Sequence, residues 1–285
     1  MRVGGVAAGK NNEACFPIVK LFPNMVTMLG MCFGLTSIKC AFVGRWESAV
    51  VFIIIAAFID GLDGRVARML NSVTNFGAQL DSFADFLSFG VAPAFLLYFW
   101  LLREIKVVGW IVVMVFVVCI SIRLAIFNIS LGYEEDESSY WKKYFFIGTP
   151  APVCACLSLI PMMITFSDCE TLWLPEGMLT SNTVALYLVF ISFLAVGRIP
   201  TISGKNYDVP KKWAYTFVVL LSLLMILAIT NPWTTFPIMG AIYIVTLPFG
   251  GLYYMYLHFM TRKSEVLQDK VVDISEESDG EKNSQ

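Results

Sequence analysis

The amino-acid sequence predicts an all-α fold, a polytopic transmembrane helical bundle of about eight spans with cytoplasmic N- and C-termini. Of its 285 residues, 57% are hydrophobic and only 15% are charged, and the mean hydropathy is +0.70. Soluble domains carry about 25% charged residues, so this composition is typical of a membrane protein. The apolar residues form long runs, and most basic residues lie at one end of those runs.

The apolar runs are the units of the predicted bundle. A segment of about 20 apolar residues is long enough to cross a bilayer as a helix. Eight segments of roughly this kind occur, at approximately 24–44, 47–68, 77–102, 107–130, 150–166, 181–199, 212–230 and 236–259. The short link between the last two predicts a helical hairpin.

Basic residues are distributed unevenly between the two ends of these segments. All but four of the 20 Lys and Arg residues fall on the side of the N-terminus, and the exceptions are Lys39, Arg45, Arg103 and Lys106. Because cytoplasmic loops accumulate basic residues, we expect both termini inside the cell. The net charge of −2 gives no indication of nucleic-acid binding.

Two flanks lack the apolar periodicity of the remainder. Residues 1–13 are polar and rich in glycine, and residues 263–285 are rich in acidic and serine residues. Such segments cannot bury enough apolar surface to fold. We therefore expect a flexible N-terminus and a disordered acidic tail on either side of a transmembrane domain at 14–262.

Four aspartates and two arginines lie in the segment from Asp60 to Asp85, between two apolar runs. A charged group in hydrocarbon costs about 2.5–3.5 kcal/mol, so such a cluster indicates a function. Asp60 and Asp63 are three residues apart and share a helix face, and Asp81 and Asp85 share another. Because the link at 71–75 is short, the two helices are predicted to be antiparallel neighbours whose carboxylates face each other.

Four carboxylates held this close repel each other and cannot all ionise unaided. Oxygen ligands without His or Cys suit Mg²⁺ or Mn²⁺, and two such ions together bind the oxygens of a transferring phosphoryl group. Gly64 leaves room for a nucleotide against the backbone, and Arg68 offers paired donors to a phosphate. Two alternatives to an enzyme remain. A cation-coupled transporter would need neither Gly64 nor Arg68, and a membrane scaffold would dock through its tail.

The spacing of these residues resembles a known family signature. Every fixed position of the signature of the CDP-alcohol phosphatidyltransferases is matched, by Asp60-x2-Asp63-Gly64-x2-Ala67-Arg68-x8-Gly77-x3-Asp81-x3-Asp85. Further strings are similar to the integral-membrane CDP-diacylglycerol–serine O-phosphatidyltransferases, or phosphatidylserine synthases, namely F-P-N-M-V-T at 22–27, L-D-S-F-A-D-F-L-S-F-G-V-A-P-A at 80–94, R-L-A-I-F-N at 123–128 and F-I-G-T-P at 146–150. Two departures are Ile126, where many synthases carry a second arginine, and Thr149, where leucine is usual.

The resemblance implies an enzyme that transfers the phosphatidyl group of CDP-diacylglycerol to the hydroxyl of L-serine, giving phosphatidylserine and CMP. It implies that Asp60, Asp63 and Asp81 hold one divalent cation and that Asp60, Asp81 and Asp85 hold a second. Asp85 would also act as general base. The residues implied to contact CDP-diacylglycerol are Asn24, Thr27, Gly64, Arg68, Thr74 and Gly77.

Serine carries a carboxylate, so its pocket needs a cation. The candidates are Arg123, which lies within an apolar run and needs an internal anion, and Arg198. Other acceptors compatible with the same chemistry are glycerol 3-phosphate, an inositol compound or choline. The resemblance further implies a homodimer, and the basic residues place the active site on the cytoplasmic face. We expect the membrane to be a bacterial inner membrane.

Overall fold

The computed structural model describes much of the predicted transmembrane domain. The described residues are 22–69, 74–132, 145–167, 179–197, 200–202 and 211–247. The predicted flexible N-terminus, the predicted acidic tail and both predicted domain boundaries lie outside the described residues.

Two long helices, α1 (Phe22–Phe42) and α2 (Trp46–Met69), form the first hairpin. Gly44 connects them with a positive φ of 76°, a conformation that glycine adopts without a steric penalty. The face that α1 buries consists of small or short side chains at helical spacing, namely Pro23, Thr27, Gly30, Gly34, Ser37 and Ala41. Such residues let helix backbones approach closely, and the Ser37 hydroxyl donates across the interface to the Ala49 carbonyl at 2.8 Å.

The third predicted span is divided in the structure. Helix α3 (Asn75–Asp85) runs into a turn of π-helix (Phe86–Val91), and α4 (Ala92–Trp100) continues from it. We call Phe86–Val91 the wide turn, because its hydrogen bonds join residues five apart rather than four. A 3₁₀ turn (Leu102–Ile105) then leads into α5 (Lys106–Gly132).

The remaining elements are shorter. In chain order they are β1 (Phe145–Ile147), α6 (Ala151–Ser158), α7 (Ile160–Thr165), α8 (Ser181–Val196), β2 (Pro200–Ile202), α9 (Lys211–Thr230) and α10 (Pro232–Leu247). Strands β1 and β2 pair antiparallel over three residues, with Phe145 opposite Ile202. This small ladder is an addition to the predicted all-α fold, which is otherwise confirmed for the described residues.

Two predicted spans differ in their bounds. The segment predicted at 150–166 is broken into α6 and α7 at Leu159. Pro161 lies in the first turn of α7, where its missing N–H does no harm, whereas inside one continuous helix it would remove a hydrogen bond. The last segment begins at Pro232 rather than at 236, and its part beyond 247 lies outside the described residues.

The surface of the helices is apolar, as expected of a membrane protein. On α5, side chains at Val107, Ile111, Val115, Val118 and Ile122 are exposed along one stripe, while Phe116 and Ile120 are fully buried on the other. Within the described residues, three helices are long and apolar enough to cross a bilayer: Phe22–Phe42, Phe76–Trp100 and Leu102–Ile129. These apolar helices indicate a membrane protein.

Candidate active site

The cytoplasmic ends predicted for spans two and three do bring their carboxylates together. Asp60, Asp63 and Asp81 each offer one carboxylate oxygen, and these oxygens lie within 4.8 Å of one another. The fourth aspartate, Asp85, lies one turn beyond Asp81 on α3, and its carboxyl group is close to that of Asp60. The antiparallel arrangement read from the spacing thus places all four side chains in one cluster between α2 and α3.

Helix α1 also contributes to this cluster, through Thr27. Its hydroxyl donates a hydrogen bond of 2.9 Å to Oδ2 of Asp63, whose side chain is only 5% exposed. The sequence predicts Thr27 beside the cytidine of the substrate. In the structure the Thr27 hydroxyl contacts the Asp63 carboxylate and orients this predicted metal ligand, and the predicted contact with the substrate stays a prediction.

The donor set fits a hard divalent cation. All of the clustered donors are carboxylate oxygens, which Mg²⁺ and Mn²⁺ prefer over nitrogen or sulfur. Two ionised carboxylates at close range repel each other, so the closeness of Asp60 and Asp85 favours a proton or a cation between them. The cavity between these side chains measures about 10 Å³, close to the space of one water-sized particle. Its lining also includes Thr27, Gly30, Ala56, Ala84, Ser88 and Phe89.

A second group of predicted residues lies at the start of α3. Thr74 caps this helix by accepting a hydrogen bond of 3.0 Å from the backbone N–H of Gly77. Asn24 of α1 is close by, because a Cβ placed on Gly77 would lie 2.9 Å from Asn24 Oδ1. Three of the residues predicted to bind CDP-diacylglycerol are therefore neighbours in space.

Gly64 and Arg68 lie on the last turns of α2. A Cβ placed on Gly64 would meet no atom within 4 Å, so the space beside its backbone is open, as the predicted nucleotide contact requires. Arg68 follows one helical turn later and shares its face of α2. The side chain of Arg68 lies outside the part of the chain that the structure describes.

The wide turn follows Asp85 directly and connects the aspartates to the core. Ser88 and Phe89, which it contains, are buried and complete the far wall of the carboxylate cavity. A Cβ placed on Gly34 of α1 would lie 2.9 Å from the Ser88 Cα, so α1 and the wide turn are in direct backbone contact. Irregular turns of this kind are frequent at functional sites.

Of the two arginines predicted to bind serine, only Arg123 belongs to the described residues. Arg123 is buried on α5, and its Nε donates to the Thr149 carbonyl at 2.9 Å while its Nη2 donates to the Gly148 carbonyl at 3.4 Å. The structure therefore gives it backbone carbonyl partners. Arg198 lies outside the described residues.

Sequence reasoning missed three residues near these sites. Ser88 continues the stripe of Asp81 and Asp85 by one further turn, and this spacing was the signal for it. The sequence distinguishes Thr149 only as a departure from the family resemblance. Tyr243 on α10 gave no signal, because its place beside Thr149 and Arg123 depends on contacts between helices distant in sequence.

The chain is similar to known proteins. A family model described as CDP-alcohol phosphatidyltransferase matches residues 20–194, and one described as CDP-alcohol phosphatidyltransferase 2 matches residues 212–248. The chain is 33% identical over 235 residues to a Mycobacterium leprae protein, covering 81% of this chain and 75% of the relative. A Helicobacter pylori relative is 32% identical over 225 residues, with 79% and 88% covered.

Both relatives carry the name CDP-diacylglycerol–serine O-phosphatidyltransferase, as does a Mycobacterium tuberculosis relative that is 33% identical, with 81% of this chain and 78% of that protein covered. The first family model spans all four clustered aspartates and Gly64, Arg68 and Gly77. The resemblance read from the aspartate spacing is thus confirmed, and the chain belongs to the CDP-alcohol phosphatidyltransferase family.

Proposed function

We propose that the protein transfers the phosphatidyl group of CDP-diacylglycerol to the hydroxyl of L-serine, with phosphatidylserine and CMP as products. The observation that carries this proposal is the cluster of four aspartates between α2 and α3. The names of the relatives support serine as the acceptor.

The aspartates divide into two overlapping sets of ligands. Asp60, Asp63 and Asp81 would hold one Mg²⁺ or Mn²⁺ ion, and Asp60, Asp81 and Asp85 would hold the second. When bound, such ions neutralise the diphosphate oxygens of the lipid substrate and the charge that develops on the departing CMP. Thr27 fixes the orientation of the Asp63 carboxylate within this arrangement.

Asp85 is the proposed general base. It takes the proton from the serine hydroxyl while the serine oxygen forms a bond to the phosphorus that carries diacylglycerol. The bond from that phosphorus to the CMP oxygen breaks, and CMP leaves with the electron pair. General-base catalysis typically accelerates a reaction by about 10²–10⁴-fold.

The lipid nucleotide lies along the predicted contacts at the ends of α2 and α3. Asn24, Thr74 and Gly77 are adjacent to one another, and Gly64 opens the backbone of α2 to the nucleotide. Arg68 donates to a phosphate. Arg123 and Arg198 are the proposed cations for the serine carboxylate, and only Arg123 belongs to the described residues.

The apolar helices and the distribution of basic residues support a proposal for the membrane arrangement. We propose eight spans with both termini and the active site on the cytoplasmic side of a bacterial inner membrane, and a homodimeric assembly. The transmembrane domain at 14–262 carries the activity, with flexible segments at 1–13 and 263–285. CDP-diacylglycerol then enters sideways from the inner leaflet.

An acceptor assay tests the proposed function. The purified protein, in vesicles that contain CDP-diacylglycerol and Mg²⁺, is given labelled serine, glycerol 3-phosphate, inositol or choline. We expect CMP release and a labelled lipid with serine alone and without any ion gradient. A lipid product with another alcohol and none with serine would contradict the acceptor, and the absence of CMP release with all four would contradict the reaction.

A truncation separates the enzyme from a scaffold. Removal of residues 264–285 leaves every described helix in place. We expect serine-dependent CMP release to survive this truncation, whereas a scaffold that docks through its tail would lose its function.

A further inference from the structure

Arg123 is a buried cation whose partners within the described residues are neutral. It is 9% exposed, and it donates to the Thr149 and Gly148 carbonyls through Nε and Nη2. A guanidinium group has five N–H donors, so donors remain for another acceptor. Within the described residues no carboxylate forms an ion pair with it, and a buried charge without a counter-charge is costly.

Two buried hydroxyl groups beside Arg123 are also without a hydrogen-bond partner among the described residues. They belong to Thr149, which is fully buried, and to Tyr243 of α10. The two side chains are neighbours of each other and of Arg123. Buried polar groups are nearly always satisfied in folded proteins, because an orphaned one loses its bonds to water without replacement. One cation and two orphaned hydroxyls therefore converge on one place.

This cluster lies at about the depth of the general base. The Asn128 amide donates to the Ser82 hydroxyl at 2.9 Å, and a Cβ on Gly90 would lie 3.3 Å from Ile120 Cγ2. Helix α5 thus runs antiparallel to α3 and the wide turn. Arg123 precedes Asn128 on α5 and Asp85 follows Ser82 on α3, so in antiparallel helices both are displaced in the same direction from the Asn128–Ser82 contact. With a rise of about 1.5 Å per residue, their positions along the helices differ by less than about one helical turn.

We infer that Arg123, Thr149 and Tyr243 form the acceptor pocket, in which the guanidinium binds the carboxylate of serine and the two hydroxyls complete its hydrogen bonds. This inference rests on the proposed function and assigns the specificity-determining groups for its second substrate. Asp85 then meets the hydroxyl end of a serine whose carboxylate is held on α5. The Thr149 hydroxyl then contributes to acceptor affinity and leaves the reaction class unchanged.

The test removes each hydroxyl with almost no change of shape, by Thr149→Val and Tyr243→Phe. We expect the KM for serine to rise about tenfold in each variant, because a hydrogen bond to a charged group is lost. The KM for CDP-diacylglycerol and kcat stay within about twofold of the wild-type values. Thr149→Ser, which keeps the hydroxyl, should restore the KM for serine.

Tyr187→Phe is the matched control. The Tyr187 hydroxyl donates to the Leu157 carbonyl at 2.8 Å, so its removal should lower the Tm and leave the KM for serine unchanged. The hydroxyls of Thr149 and Tyr243 have no such partner, so their removal should leave the Tm unchanged or raise it. An unchanged KM for serine in both variants, or a fall in Tm like that of the control, would overturn the pocket and make the hydroxyls structural.

Failure of the proposed function has a separate signature, which is the absence of serine-dependent CMP release by the wild-type protein. In that case the pocket is judged with the alcohol that does support CMP release. Its KM should rise in the same two variants, and an unchanged KM would again overturn the pocket.

Discussion

The Thr27 hydroxyl of α1 lies 2.9 Å from Oδ2 of Asp63 on α2. The hydroxyl oxygen also lies 3.2 Å from the Pro23 carbonyl one turn earlier, so its single proton is shared between two acceptors and its rotamer is fixed. A helix that provides none of the four carboxylates therefore determines the direction of one of them. We therefore expect this hydroxyl to influence metal binding.

Thr27→Val should weaken the affinity for Mg²⁺ by about 10–100-fold, the usual effect of losing a hydrogen bond to a metal ligand. The measurement is CMP release as a function of Mg²⁺ concentration. Thr36→Val is the control, because the Thr36 hydroxyl bonds only to the Cys32 carbonyl of its own helix among the described residues, at 2.7 Å. Equal Mg²⁺ dependence of the two variants would show that the bond to Asp63 has no part in metal binding.

Asp85→Asn should lower kcat by about 10²–10⁴-fold, because an amide cannot accept the serine proton. The same cluster keeps its other three carboxylates, so the protein should still insert and fold. Glu47→Gln removes a carboxylate from the exposed first turn of α2, and we expect its turnover to match the wild type. Near-normal turnover by Asp85→Asn would exclude Asp85 as the base.

Chelation of divalent cations should abolish CMP release, and Mg²⁺ or Mn²⁺ should restore it. Because the ions bind only the folded cluster, saturating Mg²⁺ should also stabilise the protein, by about 2.7 kcal/mol at a hundred times the Kd. The thermal shift in detergent measures this effect. Asp81→Asn should lose most of the shift, and a shift equal to that of the wild type would place the ion elsewhere.

Gly77→Ala should raise the KM for CDP-diacylglycerol about tenfold and leave the KM for serine unchanged. The added Cβ would lie 2.9 Å from Asn24 Oδ1 and 3.1 Å from Thr74 Oγ1, so both side chains must move. Ala78→Ser changes the next, exposed position of the same turn and serves as the control. A rise in the KM for serine alone would assign this corner of the site to the acceptor.

Gly34→Ala should destabilise the protein by about 1–3 kcal/mol. Its Cβ would lie 2.5 Å from Ser88 Oγ and 2.9 Å from Ser88 Cα, so α1 and the wide turn would have to separate. Gly61→Ala is the counterpart, because a Cβ there meets nothing within 4 Å, and alanine raises helix stability by about 1 kcal/mol. Thermal unfolding in detergent should therefore shift in opposite directions for the two variants.

The carboxylate cluster was predictable because its causes are local. A separation of three residues places Asp60 and Asp63 on one face of α2, and a separation of four does the same for Asp81 and Asp85 on α3. The short polar link then forces the two helices to be neighbours. No contact between distant parts of the chain is needed for this result.

Other features depend on packing between distant segments, and periodicity carries no information about them. The carbonyl that binds Arg123 belongs to a residue 26 positions away. Strands β1 and β2 are paired across α6, α7 and α8. The position of the wide turn within the third span likewise depends on its contacts with α1 and α5. Its residues are as apolar as those of an ordinary span, so the sequence pattern does not mark it.

The wide turn at Phe86–Val91 has a consequence for how this region changes in evolution. Each residue added to or removed from a regular helix rotates everything beyond it by about 100°. If α4 kept its place, such a change would turn Asp81 and Asp85 away from α2. A widened turn accommodates one surplus residue without that rotation. Length variation between relatives should therefore be tolerated within this turn and selected against in α3.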